Sequence, residues 1–218
     1  MYERATFYPG GYFHVYNRGV AKQPLFLDTH DYRHFLETLS FYLDSTQIRR
    51  LSKTGAKDRR LLFAVQPIDP LVTVVAYCLM PNHFHLVLRE EREKGVSTYM
   101  QRAMNSYTRA FNTKYRRVGT VFQGVFSAVG VSSDQQLLHV CRYVYLNPVV
   151  ARMVHSAADY RWSSFAQLMS ESESRLVDSQ ILLGIAGGRD QYKDFVNDYA
   201  SYAQELGALK SLLIEEVD

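Results

Sequence analysis

No part of this chain constrains its fold more than Ala76-Tyr77-Cys78-Leu79-Met80-Pro81-Asn82-His83-Phe84-His85-Leu86-Val87-Leu88, where two histidines flank one hydrophobe inside residues that read as buried strand. Side chains on a strand alternate faces, so His83 and His85 are expected to point the same way while Phe84 points into the core. Two imidazoles side by side on one face of a sheet supply half of a divalent-metal site, because neutral imidazole is the commonest protein ligand in such settings. An isolated pair of this kind also occurs as two satisfied or half-exposed histidines, so the pair alone does not define an activity.

A second constellation lies downstream. Leu138-His139-Val140-Cys141-Arg142-Tyr143-Val144-Tyr145-Leu146-Asn147-Pro148 reads as a helix ending near the proline, and positions four apart on a helix share a face. Tyr143 and Asn147 therefore project together, whereas Tyr145 faces away from both. Laid across the sheet, such a helix brings an amide oxygen from Asn147 and a phenol from Tyr143 to the histidines. Two imidazoles and one amide leave positions open for water or phosphate oxygens, which suits Mg²⁺ or Mn²⁺ better than a closed structural zinc site. Tyr143 is then the candidate nucleophile, forming a covalent intermediate that conserves the bond energy for rejoining.

The runs Tyr77–His85 and Tyr143-Val144-Tyr145-Leu146-Asn147-Pro148-Val149 together resemble the single-tyrosine HUH transposases, most closely the REP-associated tyrosine transposase branch. His14-Val15-Tyr16-Asn17-Arg18-Gly19, Phe122-Gln123-Gly124 and Tyr160-Arg161-Trp162-Ser163-Ser164 are also similar to pieces of that family, so the resemblance covers roughly residues 8–170. It implies a metal-dependent, single-strand-specific DNA endonuclease and ligase that joins a 5′ phosphate to tyrosine and leaves a free 3′ hydroxyl. Carried over by motif position, His83 and His85 are the metal-binding pair, Asn147 stands where the third ligand falls, and Tyr143 is the nucleophile. Asn17, Arg18 and Gln123 are implied DNA contacts. His139, one helical turn before Tyr143, is a candidate proton relay. The implied partner is single-stranded or hairpin DNA, bound by a monomer or a homodimer.

Charge fits such a partner only when divided along the chain. The whole protein carries +3, but residues 1–150 hold 19 Lys and Arg against 11 Asp and Glu, net +8, and residues 151–218 hold 6 against 11, net −5. The basic charge thus sits with the candidate motifs, as phosphate attraction requires. Within it, residues 49–60 hold six basic residues and one acid, either a solvated loop or an arm that closes on DNA. A second basic run, Lys114-Tyr115-Arg116-Arg117, ends a helix bearing Arg102 and Arg109. Arg109, Arg116 and Arg117 are candidate phosphate contacts, and Tyr115 is placed to stack an unpaired base.

The pattern of elements predicts an α+β fold: a ferredoxin-like or RRM-like antiparallel palm with helices packed on one face, followed by a C-terminal helical extension. Strands are expected over about 10–18, 61–65, 72–79, 83–89 and within 120–131. Helices are expected over about 29–46, with Asp28 as cap, over 96–115 and from Asp134 onward. The catalytic domain is assigned to residues 1–168 and the helical extension to 169–218, with a polar linker at Ser170–Ser174, helices at 181–185 and 192–206, and an acidic tail. Cys78 and Cys141 fall in buried segments and read as small hydrophobes, which excludes a disulfide framework. With no cationic leader and no long apolar run, the chain is expected in the cytoplasm, without a membrane span.

Two other functions are compatible with these residues. A non-catalytic RRM-like module would bind single strands by stacking and be indifferent to chelators, and the paired histidines argue against it. A hydrolytic metallophosphoesterase would use the metal to activate water and survive loss of Tyr143.

Overall fold

The computed structural model describes residues 5–47, 49, 51–55, 57–58, 63–170 and 174–198. Four antiparallel strands, β1 (Tyr12–Arg18), β2 (Val72–Met80), β3 (His83–Glu90) and β4 (Ser127–Val131), form one sheet in the order β2-β3-β1-β4. The α+β palm expected from the sequence is therefore present, with one difference: helices cover both faces of the sheet. On one side α1 (Thr29–Phe41) and α2 (Gly95–Lys114) share a core with Phe13, Val15, Leu79, Phe84, Leu86 and Leu88. On the other, α3 (Asp134–Val150) packs Leu137, Cys141, Val144 and Tyr145 against Val75, Ala76, Cys78, Met80 and Val87. The continuous apolar run of β2 is what a doubly covered strand needs.

A β-bulge lets β2 serve both cores. The register with β3 shifts between Val74 and Ala76, so that Val75 and Ala76 both join the α3 side. Beyond the bulge, Tyr77 and Leu79 return to the first core while Cys78 and Met80 face the second.

Local chemistry sets the helix ends. Asp28 and Asp31 form a capping box that starts α1, which stops at Phe41, short of the expected end. The Glu90 carboxylate accepts from Val96 N at 3.3 Å and satisfies one free donor at the start of α2. Ser133, one residue before the expected Asp134, caps α3 by accepting from Gln136 N at 3.2 Å. Pro148 lies inside α3 and removes one i→i−4 hydrogen bond, and the helix ends two residues later at Val150.

The strand expected over 61–65 is not seen at its described end: Phe63 is helical and packs against the first core, while residues 61 and 62 lie outside the described residues. A short apolar run cannot be assigned to helix or strand by periodicity alone. Of the basic segment, Leu51–Lys53 forms a 3-10 turn that buries Leu51, and residues 50, 56, 59 and 60 are outside the described set.

After α3 the chain crosses back beneath β2. Leu79 N donates to Trp162 O at 2.9 Å, and Trp162 stacks on Tyr32 at 4.4 Å, so the single tryptophan anchors the core as expected. The short α4 (Phe165–Met169) follows, then Val177 bridges Val74 in parallel. The two further helices, α5 (Gln180–Ala186) and α6 (Arg189–Asn197), set Leu182, Tyr192 and Val196 into the α3 core. The end of the helix expected over 192–206 and the acidic tail, Glu215-Glu216-Val217-Asp218, lie outside the described residues. Cys78 and Cys141 are free and buried, and no helix among the described residues is long and apolar enough to cross a membrane.

Candidate active site

The β1–β3 pairing builds the site. Arg18 lies opposite His83, Tyr16 opposite His85 and His14 opposite Val87, so His14, Tyr16, Arg18, His83 and His85 share one face of the sheet. Phe84 is fully buried on the reverse face. The α3 helix covers part of the histidine face with its apolar side and leaves Tyr143 standing over the imidazoles. The Tyr143 ring lies edge-on to His85 at 5.6 Å and to His14 at 5.9 Å between centroids.

Both histidines of the pair have Nδ1 engaged. Asn82 Oδ1 lies 2.7 Å from His83 Nδ1, and Asn82 Nδ2 donates to Lys22 O at 3.3 Å, which fixes the amide orientation. His83 Nδ1 is therefore the donor and its lone pair sits on Nε2. His14 Nε2 lies 2.9 Å from His85 Nδ1, with the two rings stacked at 5.1 Å.

Burial keeps these imidazoles neutral. It lowers the His14 pKa to about 4 and that of His85 well below the ordinary value, the latter helped by its neighbours His14 and His83. His83 is lowered by burial and then by the Arg18 charge opposite it. His83 therefore presents its Nε2 lone pair, and His85 does so in the tautomer whose Nδ1 donates to His14, a donor set that fits a divalent cation.

The two tyrosines of α3 differ sharply. Tyr143 is 52% exposed, whereas Tyr145 is fully buried against Phe165, with its hydroxyl 3.3 Å from Ser164 Oγ. Burial raises the Tyr143 phenol above its ordinary pKa, opposed by a hydrogen bond from the Asn147 side chain. Asn147, half-exposed on the same face as expected, also donates Nδ2 to Tyr143 O at 2.8 Å. Its amide is thus engaged with its own helix rather than with the histidines. His139 is directed elsewhere than a relay requires: its Nδ1 lies 2.7 Å from Arg142 and its ring packs on Phe195 of α6.

The expected DNA contacts divide into two groups. Arg18, opposite His83, is exposed and bonds Gln123 through Nε, while Arg117, just past the end of α2, reaches Gln23 at 3.4 Å. Arg116 is exposed beside Arg117 in sequence. Asn17 instead has the opposite strand parity: it is buried opposite Phe84, donates to Gly124 O at 3.2 Å and accepts from Arg18 N at 2.8 Å. It holds the 122–124 loop in place through Gly124. Arg109 lies on α2, behind the sheet, in a groove of about 580 Å³ with Arg49, Arg102 and Lys114. Tyr115 is also committed, donating to Asp31 Oδ2 at 2.7 Å and packing on Phe111.

Among the described residues, one group of three ligating side chains has donor atoms within 4.8 Å of one another: Asp28, His30 and Asp31. It lies at the start of α1, away from the histidine pair, and Lys114 Nζ already bonds both carboxylates at 2.7 and 2.6 Å. Lysine is the cation there.

Sequence reasoning missed His14, Tyr16 and Asn82 as parts of the site. Period-two alternation from Tyr12 aligns His14, Tyr16 and Arg18, but only the strand register shows that they join the histidine pair.

An antiparallel palm with neutral histidines on one face and a tyrosine-bearing helix above them defines a class of α+β protein built around a single polar face. Residues 68–147 match the family model described as "Transposase IS200 like", an interval that contains His83, His85, Tyr143 and Asn147. A Haemophilus influenzae protein described as "Putative REP-associated tyrosine transposase" is 30% identical over 102 residues, 42% of this chain and 57% of the relative. The alignment thus spans little more than half the length of that relative. The solved structure of a REP-associated tyrosine transposase bound to a REP hairpin matches with a TM-score of 0.56 at 16% identity, covering 82% of this chain and 91% of that one, a likeness of fold. Residues 68–147 are thus similar to the IS200-like transposases, and part of the chain is similar to a REP-associated tyrosine transposase.

Proposed function

We propose that this protein cleaves and rejoins single-stranded DNA near hairpins by transesterification. The observation that carries this reading is an exposed Tyr143 set 5.6 Å from His85, over the sheet face that carries His83 and His85. Tyr143 Oη attacks a backbone phosphorus, the P–O3′ bond breaks, and the 3′ oxygen takes up a proton; the product is a 5′-phosphotyrosine and a free 3′ hydroxyl. Attack by a 3′ hydroxyl on that phosphotyrosine restores Tyr143 and joins the strands, with no external energy source.

His83 and His85 would hold Mg²⁺ or Mn²⁺, with Asn147 as third ligand once its amide leaves the Tyr143 carbonyl. At that site His83 and His85 would give such an ion the Lewis-acid role of polarising the phosphodiester and aligning it for attack. Burial and the raised Tyr143 pKa keep the phenol neutral until substrate is in place. Arg18, Gln123, Arg116 and Arg117 steer the phosphate backbone, and Arg109 lies on a second basic surface behind the sheet. Support for a hairpin as partner comes from the solved structure of similar fold, a REP-associated tyrosine transposase bound to a REP hairpin. Residues 1–168 carry the chemistry, and the helices after 169 buttress α3; the protein works in the cytoplasm as a monomer or a homodimer.

The test is cleavage of a labelled single-stranded hairpin oligonucleotide with Mn²⁺ or Mg²⁺. Cleavage by the wild type that stops with EDTA and in His83→Ala supports the reading. Binding without any cleavage favours a non-catalytic module, and cleavage that persists in Tyr143→Phe favours water as the nucleophile.

A further inference from the structure

His83 and His85 are held in the same way from different elements. The Asn82 amide, turned by its bond to Lys22 O, accepts from His83 Nδ1. His14, reaching diagonally across from β1, occupies the equivalent position at His85, with Nε2 2.9 Å from Nδ1. Two ring nitrogens 2.9 Å apart need one donor and one acceptor, so two arrangements are possible. If His14 donated, the His85 proton would sit on Nε2 and block that atom. If His85 donates, its lone pair falls on Nε2, alongside that of His83.

We propose that His14 is a positioning residue: its Nε2 accepts the His85 Nδ1 proton and so fixes the tautomer and ring orientation in which His85 binds the ion. This rests on the metal reading of His83 and His85. His14 touches no ligand itself; it does for His85 what Asn82 does for His83. Partners of this kind on metal-bound histidines commonly contribute about 10–100-fold in metal affinity.

Long-range ¹H–¹⁵N spectra of the metal-free, full-length protein report the tautomer directly. The expected result is a His85 protonated at Nδ1; protonation at Nε2 overturns the proposal. Mn²⁺ titration calorimetry provides the second readout. His14→Phe, which keeps a ring but has no acceptor, should weaken Mn²⁺ binding by about 10–100-fold, while His14→Gln, whose carbonyl can accept, should retain most of the affinity. Thermal melting without metal controls for folding. Wild-type affinity in His14→Phe, or equal losses in both variants, overturns the role of His14. His85→Ala separates the two layers: if it still binds Mn²⁺ like the wild type, the metal reading itself fails, whereas its loss alongside an unaffected His14→Phe removes only the present inference.

Discussion

The Tyr143 ring stands edge-on to His85, 5.6 Å between centroids and 81° between planes, although the two residues are 58 positions apart. The relationship is produced by two independent periodicities. Strand alternation turns His85 to the face that α3 covers, and the helical repeat turns Tyr143 outward while Cys141, Val144 and Tyr145 turn in.

That division predicts different losses at the two tyrosines. Tyr145→Phe keeps the buried ring and removes a hydroxyl that contacts Ser164 Oγ and the Ser179 side chain. It should cost about 1 kcal/mol of stability and leave strand cleavage near wild type. Urea unfolding together with the oligonucleotide assay checks this; abolished cleavage with unchanged stability would move the chemistry to Tyr145.

Acid should destabilise the metal-free protein well above the carboxylate range. The folded state holds His14 at about 4 and lowers His83 and His85, while the unfolded chain titrates near 6.5. Between these values the unfolded state binds more protons, so stability contributed by the neutral imidazoles is full above about pH 6.5 and falls as pH drops toward 4. For His14 alone the loss is on the order of 1–3 kcal/mol, allowing for its partial exposure. Urea midpoints at pH 7, 5.5 and 4.5 should decline, less steeply in His14→Gln; a flat profile would show that the imidazoles titrate normally.

Asn82 should matter through His83. Removing its carbonyl in Asn82→Ala leaves His83 Nδ1 without the acceptor now 2.7 Å away. Mn²⁺ affinity is expected to fall about tenfold with little change in melting temperature. Calorimetry that finds unaltered affinity would remove Asn82 from the support of the site.

Gly19 ties the end of β1 to the histidine hairpin, donating to Asn82 O at 2.8 Å. A Cβ there would sit 2.0 Å from Gln23 O, a backbone atom that cannot rotate away. Gly19→Ala should therefore destabilise by about 1–3 kcal/mol and displace Arg18 and Gln123, slowing cleavage. A denaturation midpoint equal to wild type would show that the 19–23 turn relaxes freely.

Much of this was legible because local rules suffice. The alternation in β3, the four-residue spacing of Tyr143 and Asn147, and the Asp28 cap each depend on residues close in sequence. What was not legible depends on register and layering. His14 meets His85 only because β1 and β3, some 70 residues apart, pair in one particular register. Asn17 looked like a DNA contact beside Arg18, yet odd parity sends it to the buried face. The bulge at Val75 and the second helical layer follow from tertiary packing, to which a single-sequence pattern is blind. His139 has the right helical phase for Tyr143, but α6 brings Phe195 to its ring.

The central claim is that Tyr143 becomes covalently joined to DNA. Wild-type protein incubated with Mn²⁺ and a 5′-phosphate-traced hairpin oligonucleotide should yield an adduct that survives denaturing electrophoresis, and peptide mass spectrometry should place the nucleotide on Tyr143. Tyr143→Phe should fold normally and give no adduct. An adduct mapped to any other residue, or one that persists undiminished in Tyr143→Phe, would contradict the mechanism.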